Sequence, residues 1–268
     1  MVKIAVTGAA GRMGGRIISV INDTEGVELA GALEHLKHPA LGRDAGEAAG
    51  IGPVGVKITS DLEEAMKNAD VLIDFTFPEV TIENLRTVSA LGKAAVIGST
   101  GFTAKELEEL KSVVSNIPCI LAPNMSVGVN LMLRLVSEAA RILGDDFDIE
   151  MVETHHRMKK DAPSGTAMKL AEVAAEAVGR KLSEVGTFER FGMTGERGKN
   201  EIGVQTLRGG DVVGDHTVYF YGTGERLEIT HRATSRDTFA TGAVRGAQWL
   251  AGKGQGLYDM QDVLGLKD

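Results

Sequence analysis

Val2-Lys3-Ile4-Ala5-Val6-Thr7-Gly8-Ala9-Ala10-Gly11-Arg12-Met13-Gly14 is the segment from which the architecture follows. Residues 2–7 are a short apolar run, the pattern of a buried strand. Glycines at 8, 11 and 14 come next, and a helix is expected over 12–22, with Met13, Ile17, Ile18 and Ile21 on its apolar face. A strand that turns through glycines into a helix gathers unpaired N–H groups and the positive end of the helix dipole at one point. A pyrophosphate can sit there. The spacing, G-x-x-G-x-x-G, is one residue looser at the front than the common dinucleotide fingerprint. Arg12 is poorly placed for the dipole of its own helix, which points to an anionic partner. A P-loop is excluded, because no Gly-Lys-Ser/Thr follows at the right distance.

Twenty residues beyond Gly14, Glu34 ends the second expected strand, 27–33. A carboxylate in that place accepts hydrogen bonds from adenosine ribose hydroxyls. It also repels a 2′-phosphate and so favours NAD, while His35, Lys37 and His38 soften the repulsion; the choice between NADH and NADPH stays open. Further strands are expected over 71–76, 94–99 and 119–122, alternating with helices over 61–69, 79–91 and one opened by Thr103. Glu106 completes a capping box there. The Gly/Pro-rich stretch 39–55 reads as loop with one helical turn. This alternation predicts an α/β fold, a Rossmann-like parallel sheet with helices on both faces. The turns Gly98-Ser99-Thr100-Gly101 and Ala122-Pro123-Asn124-Met125 fall at the carboxyl ends of strands, where such sheets bind ligands.

After about residue 125 the pattern changes. A helix over 129–143, a strand over 148–153, a polar loop and a helix over 164–178 precede strands, mostly antiparallel, across 202–233. Gly209-Gly210 and Gly222-Thr223-Gly224 supply turns. A last helix, 238–250, is expected to pack back on the first sheet. The predicted division is a dinucleotide-binding domain of 1–126 with 236–268 and an α+β domain of 127–235 carrying a mixed or antiparallel sheet. With 268 residues the chain is long enough for two such domains. A net charge of -8 offers no bulk attraction to nucleic acid or anionic membrane, so neither is expected as a partner. No apolar run approaches the ~18 residues of a membrane span. The single cysteine, Cys119, fits a reducing compartment, and a cytoplasmic location is expected.

The densest chemistry lies in Glu153-Thr154-His155-His156-Arg157-Met158-Lys159-Lys160-Asp161-Ala162-Pro163-Ser164-Gly165-Thr166-Ala167. Two imidazoles and a run of cations leave a strand, and Ser164, a good N-cap, opens a helix whose first residues are Gly165 and Thr166. Imidazole and ammonium on one side and a helix N-terminus on the other make a receptor for a dianion. A metal site is not expected: adjacent histidines diverge on extended backbone, Cys119 is far upstream, and no H-x-x-x-H occurs. His216 and His231 read as structural residues of strands.

This glycine loop, joined to E-x-H-H-R-x-K-x-D-A-P-S-G-T-A, closely resembles the bacterial dihydrodipicolinate reductase family. The resemblance runs nearly end to end. It takes in Asp74-Phe75-Thr76-x-Pro78, Gly98-Ser99-Thr100-Gly101-Phe102 and Asn124-x-Ser126-Val127-Gly128-Val129-Asn130. It continues through Arg208-x-Gly210-x-Val212-x-Gly214-x-His216 and Glu225-Arg226-Leu227-Glu228-Ile229-Thr230-His231. It implies reduction of 4-hydroxy-tetrahydrodipicolinate with NADH or NADPH, in lysine and diaminopimelate biosynthesis. Gly8, Ala9, Ala10, Gly11, Arg12 and Met13 would hold the cofactor pyrophosphate and Glu34 the ribose. Gly98, Ser99 and Thr100, with Ala122, Pro123, Asn124 and Met125, would hold the nicotinamide half. His155 would be the general acid/base and Lys159 a proton donor. His156, Lys159, Ser164, Gly165 and Thr166 would hold the dicarboxylate substrate. A homotetramer assembled through the second domain is also implied, as is return of the C-terminal tail to the cofactor domain. The sequence departs from some members at Ala10, and at His35, where those members carry an arginine for the NADP phosphate. Domain closure is expected to hinge near Ser126 and Ser235. The rival readings are another two-domain dehydrogenase of amino-acid metabolism and a non-enzymatic nucleotide sensor; the second has no use for paired imidazoles facing an anion hole.

Overall fold

In the computed structural model, which describes residues 1–267, β1 (Val2–Thr7) runs through the glycine turn into α1 (Arg12–Asp23). The chain continues through β2 (Val27–Leu33), α2 (Ala45–Ala49), β3 (Ile58–Thr59), α3 (Leu62–Met66), β4 (Val71–Asp74) and α4 (Pro78–Ala90). Then come β5 (Ala94–Ile97), α5 (Ala104–Val113), β6 (Pro118–Leu121), α6 (Val127–Leu143), β7 (Asp148–His155), α7 (Gly165–Ala177), α8 (Leu182–Val185) and β8 (Gly186–Thr187). The remaining elements are β9 (Ile202–Arg208), β10 (Gly214–Gly222), β11 (Glu225–Ala233), α9 (Asp237–Leu250), β12 (Gly256–Tyr258) and α10 (Met260–Leu264). The chain divides into two units: Met1–Val127 together with the segment from Arg236 onward, and Gly128–Ser235.

The first unit is built on a seven-stranded sheet of order β12-β6-β5-β4-β1-β2-β3, with every pairing parallel. Every residue of β4 and β5 is buried, as a parallel sheet covered on both faces requires. One face is covered by Ile17, Ile18 and Ile21 of α1 and by Ala240, Ala243, Val244 and Ala247 of α9. Leu85 and Val88 of α4 and Leu110 of α5 cover the other. The small residues of α9 let it lie close: a Cβ at Gly242 would stand 1.8 Å from the Met125 carbonyl oxygen. The Thr103 capping box forms as read, Thr103 accepting from the Glu106 N–H while the Glu106 carboxylate accepts from Thr103. Three short elements of this unit went unread, β3, β12 and α10, because two or three paired strand residues or a five-residue helix carry no periodicity. Among the described residues, no helix is long and apolar enough to cross a membrane.

The second unit carries a five-stranded mixed sheet, β11-β10-β7-β9-β8. β10 is antiparallel to both β7 and β11, whereas β9 runs parallel to β7 and β8 parallel to β9. The antiparallel reading of 202–233 therefore holds for β10 and β11 and fails for β9. Gly209-Gly210 is the reason: it makes no hairpin. Instead the chain crosses the end of β7, with hydrogen bonds from the Gly209 N–H to the His155 carbonyl and from the His156 N–H to the Val212 carbonyl. β9 and β10 thus flank β7 on opposite sides. The Thr223-Gly224 turn is a true two-residue hairpin, with Gly222 paired to Glu225 and Gly224 at φ +85.

Along β7 the period-2 alternation buries Ile149, Met151, Glu153 and His155 on one face. Met132, Val136 and Ala140 of α6 and Leu170, Ala171 and Ala174 of α7 build the core with the first two. The strand extends two residues beyond the 148–153 expected, because β9 pairs His155 with Arg208 and β10 pairs Thr154 with Asp215.

Candidate functional site

In the first unit the glycine turn is shaped by contacts that leave no room for side chains. Gly8 adopts φ +60, and a Cβ at Gly14 would lie 2.0 Å from the Gly8 carbonyl oxygen, so only glycine lets α1 start this close to β1. The first turn of α1 has no side-chain cap and no acidic residue, whereas Asp44, Asp61 and Thr103 cap α2, α3 and α5. Its positive end is left for an external anion. Glu34 stands beside the turn: its carboxylate accepts from the Ala10 N–H at 3.2 Å and from its neighbour His35 N–H at 3.1 Å. Glycine cradle, uncapped helix and adjacent carboxylate together fit a dinucleotide.

The two other turns read as cofactor contacts are anchored below. Asp74, fully buried at the end of β4, accepts from the Thr76 N–H and hydroxyl, from the Thr81 and Ser99 hydroxyls, and from the Asn84 amide. That network fixes the Gly98-Ser99-Thr100 turn from beneath and leaves Thr100 exposed. Ala122 and Met125 are buried, Pro123 is exposed, and the Asn124 side chain accepts from the Ser126 N–H at 2.9 Å. Beyond Glu34, His35 and His38 pack edge to face at 5.2 Å. Glu34, His35 and His38 bring ligand-type atoms within 4.8 Å of one another. This grouping is invisible from spacing alone, since it needs the turn in which the His38 N–H bonds the His35 carbonyl.

The second unit assembles the imidazole cluster at the end of β7. His155 is nearly buried, and its Nδ1 lies 2.6 Å from Oε2 of Glu153, which is 1% exposed. Arg208 grips the same carboxylate with both terminal nitrogens, at 2.8 and 2.9 Å. The Ser164 N–H donates to it at 2.9 Å and the Thr206 hydroxyl at 3.3 Å. Ser164 then caps α7, its hydroxyl accepting from the Ala167 N–H. His216 contacts that hydroxyl through Nε2 at 3.2 Å and stands edge-on to His155 at 5.3 Å. Gly165 is exposed, and a Cβ on it would meet nothing within 4 Å, so the approach to the start of α7 is open. Lys159 is tethered by an ion pair to Asp161 at 2.9 Å, and the Lys159 N–H bonds the His156 carbonyl.

Of the residues read from sequence in this unit, His155 and Ser164 are joined through Glu153, and Gly165 and Thr166 follow Ser164 in α7. His156 and Lys159 lie on the connecting loop. Three participants were missed. Glu153 was read only as part of the cluster, Arg208 only as part of the resemblance with no role of its own, and His216 as structural. The period-2 spacing in Glu153-x-His155 and the polar residues of Arg208-x-Gly210-x-Val212-x-Gly214-x-His216 were the available signals. Their meeting depends on register, Thr206 opposite Glu153, Arg208 opposite His155 and His216 opposite Glu153.

The electrostatics follow from burial and pairing. Burial works to raise the Glu153 carboxyl, but Arg208, His155 and the Ser164 N–H outweigh it and hold it below the ordinary carboxylate range. His155 is pushed down by burial, against the pull of Glu153 in the other direction. Burial, reinforced by His155, drives His216 down to about 4, so it is neutral at pH 7.

The family model described as Dihydrodipicolinate reductase, N-terminus, matches residues 2–125, and the one described as Dihydrodipicolinate reductase, C-terminus, matches residues 128–264. The chain is similar to the 4-hydroxy-tetrahydrodipicolinate reductase of Syntrophotalea carbinolica, 60% identical over 100% of both chains. The enzyme of the same name from Geotalea uraniireducens is 58% identical, again over 100% of each. Among solved structures, the dipicolinate-bound dihydrodipicolinate reductase of Paenisporosarcina sp. TG-14 superposes with a TM-score of 0.77 at 26% identity, covering 98% of both chains.

The depressed His216 has a thermodynamic consequence. In the unfolded chain this imidazole takes up a proton near its ordinary 6.5, in the folded chain only near 4. Between those values the unfolded state binds more protons, so stability falls as pH drops from 6.5 towards 4, by up to roughly 3 kcal/mol. Chemical denaturation of wild type and His216→Asn at pH 7 and pH 5 checks this. The variant is expected to lose less stability on acidification; an identical loss in both would contradict it.

Proposed function

The chain belongs to the dihydrodipicolinate reductase family, and from that premise we propose how its residues divide the work. It is an oxidoreductase that reduces 4-hydroxy-tetrahydrodipicolinate to tetrahydrodipicolinate with a nicotinamide cofactor, in lysine and diaminopimelate biosynthesis. A bound reduced nicotinamide supplies the hydride. Everything else is the work of this chain's own side chains and backbone.

Gly8, Ala9, Ala10, Gly11, Arg12 and Met13 hold the pyrophosphate at the uncapped start of α1, and Glu34 takes the ribose hydroxyls. Gly98, Ser99 and Thr100, with Ala122, Pro123, Asn124 and Met125, line the nicotinamide end. Glu34 opposes a 2′-phosphate, so NADH is the preferred coenzyme. His35 and His38, packed together beside it, make NADPH acceptable without the strong clamp an arginine gives.

In the second unit the substrate carboxylates are held by His156, by Lys159 released from Asp161, and by Ser164, Gly165 and Thr166 at the mouth of α7. The observation that supports this most directly is the single carboxylate, Glu153, that touches both His155 and the Ser164 N–H. An imidazole and an anion-binding helix end are thereby set side by side. Hydride addition to the conjugated ring leaves an enamine-like anion, and His155, assisted by Lys159, supplies the proton that quenches it. Positive charge around the ring offsets the charge as it develops. Loss of water from the 4-hydroxy substrate precedes these steps and creates the conjugated ring that accepts the hydride.

We further infer that four copies assemble through the second unit. β11 is an edge strand of its sheet and leaves Leu227 exposed, and a free edge of this kind seeks a partner. A solution mass of four chains is expected from light scattering; a monomer would overturn the inference.

One kinetic panel tests the division of labour. His155→Gln and Lys159→Met are each expected to lower kcat by ~100-fold or more, the scale on which a general acid contributes. NADH affinity, read by fluorescence, should barely change. Wild type is expected to show a higher kcat/KM with NADH than with NADPH. Wild-type turnover in both variants would remove the assigned roles, and a preference for NADPH would remove the reading of Glu34 and His35.

A further inference from the structure

We propose that Glu153 is a positioning residue of the reduction: it holds His155 with the hydrogen on Nδ1, so that Nε2 is the nitrogen that exchanges a proton with substrate. Arg208 fixes Glu153 for that task. This rests on the reading of His155 as the acid/base, but it concerns a different residue and a different observable.

An ionised carboxylate only accepts, so the 2.6 Å contact between Glu153 Oε2 and His155 Nδ1 requires the hydrogen to sit on Nδ1. Glu153 has every reason to stay ionised. Oε2 also accepts from one nitrogen of Arg208, and Oε1 accepts from the other, from the Ser164 N–H and from the Thr206 hydroxyl. With five donors on two oxygens, the carboxylate cannot turn without abandoning several at once. The Arg208 guanidinium is itself anchored, donating to the Asp161 carbonyl at 2.6 Å.

Nε2 is the nitrogen left over, and Gly214 is the residue beside it. A Cβ at Gly214 would stand 3.0 Å from His155 Nε2, so glycine keeps that nitrogen's surroundings clear. The charged and titratable groups acting on His155 come from four places. They are Glu153 on its own strand, Arg208 on β9, His216 on β10, and Lys159 on the loop, paired with Asp161. His216 is neutral at pH 7 and adds no opposing charge, while its hold on the Ser164 hydroxyl supports the cap of α7. One carboxylate thus orients the proton donor and the Ser164 backbone together.

The proton inventory closes. After hydride reaches the ring, the N–H bond at Nε2 of protonated His155 breaks as a C–H bond forms on the enamine carbon. Neutral His155 keeps its Nδ1 hydrogen against Glu153, and the one proton the reduction consumes is taken up from the solvent at Nε2. Glu153 remains a carboxylate throughout. It contributes geometry and favours the protonated imidazole; it never carries the proton.

Nitrogen-15 NMR of the wild-type imidazole tests the first half without any substitution. Above the pKa of His155, Nδ1 is expected to carry the hydrogen and Nε2 to be bare; a hydrogen on Nε2 would overturn the proposal. Glu153→Gln tests the second half. It is expected to lower kcat by about 10- to 100-fold, the scale of a misplaced catalytic group, with KM for NADH unchanged. Without the anion His155 gives up its proton more readily, so the alkaline fall of the kcat profile should move about one pH unit or more to lower pH. Glu153→Asp should recover part of the rate. Gly214→Ala, which leaves Glu153 intact, should also slow turnover, by about 10-fold, and serves if Glu153→Gln does not fold. An unmoved pH profile in folded Glu153→Gln, or wild-type rates in Gly214→Ala, would refute the inference. Normal turnover by His155→Gln would instead remove the underlying assignment, so the two failures are distinguishable.

Discussion

A carboxylate buried to 1% exposure is tolerable only if its charge is met on all sides, and meeting the charge of Glu153 organises the second unit. Its donors come from two strands and a helix start: His155 on β7, Thr206 and Arg208 on β9, and Ser164 at the cap of α7. None can be withdrawn without leaving the charge under-satisfied. The demand for satisfaction fixes the register of β9 against β7 at the end that carries His155. It also holds the cap of α7 against that same end. Rigidity here is a by-product of electrostatics, and orientation of the imidazole follows from it.

The first unit solves a different problem with different means. Its sheet is wholly parallel and buried on both faces, so ligand contacts are confined to the turns at the strand ends. Gly14 lets the start of α1 lie against the Gly8 carbonyl. Asp74 ties the Thr76 and Ser99 turns into one network, so the neighbouring ends of β4 and β5 are held together. In one unit an uncapped helix start is brought close to a strand end by absent side chains. In the other, a guanidinium and imidazoles are gathered around an internal carboxylate.

What could be read in advance was what is local. The strand of 2–7, the glycine turn, the Thr103–Glu106 capping box and the Ser164 cap each sit within a few residues, and each forms. The pairing of β9 with β7 was hidden because Gly209-Gly210 looks like a hairpin turn, and a crossover past the end of a strand leaves no mark in spacing. That one feature decides whether Arg208 faces His155. Likewise His216 looked structural from its place in an apolar alternation; only the antiparallel register of β10 sets it opposite Glu153 and against Ser164. β3 and β12 escaped because strands of two or three residues exist only through their neighbours.

The proposed reaction depends on a doubly negative ring being received at the mouth of α7 beside the imidazoles. A crystal structure of the protein with NADH and pyridine-2,6-dicarboxylate measures this directly. The predicted result has one carboxylate accepting hydrogen bonds from the Gly165 and Thr166 N–H groups, Lys159 turned from Asp161 to the ligand, and His155 Nε2 facing the ring. A ligand bound elsewhere, or bound with His155 Nε2 turned away from it, would contradict the account.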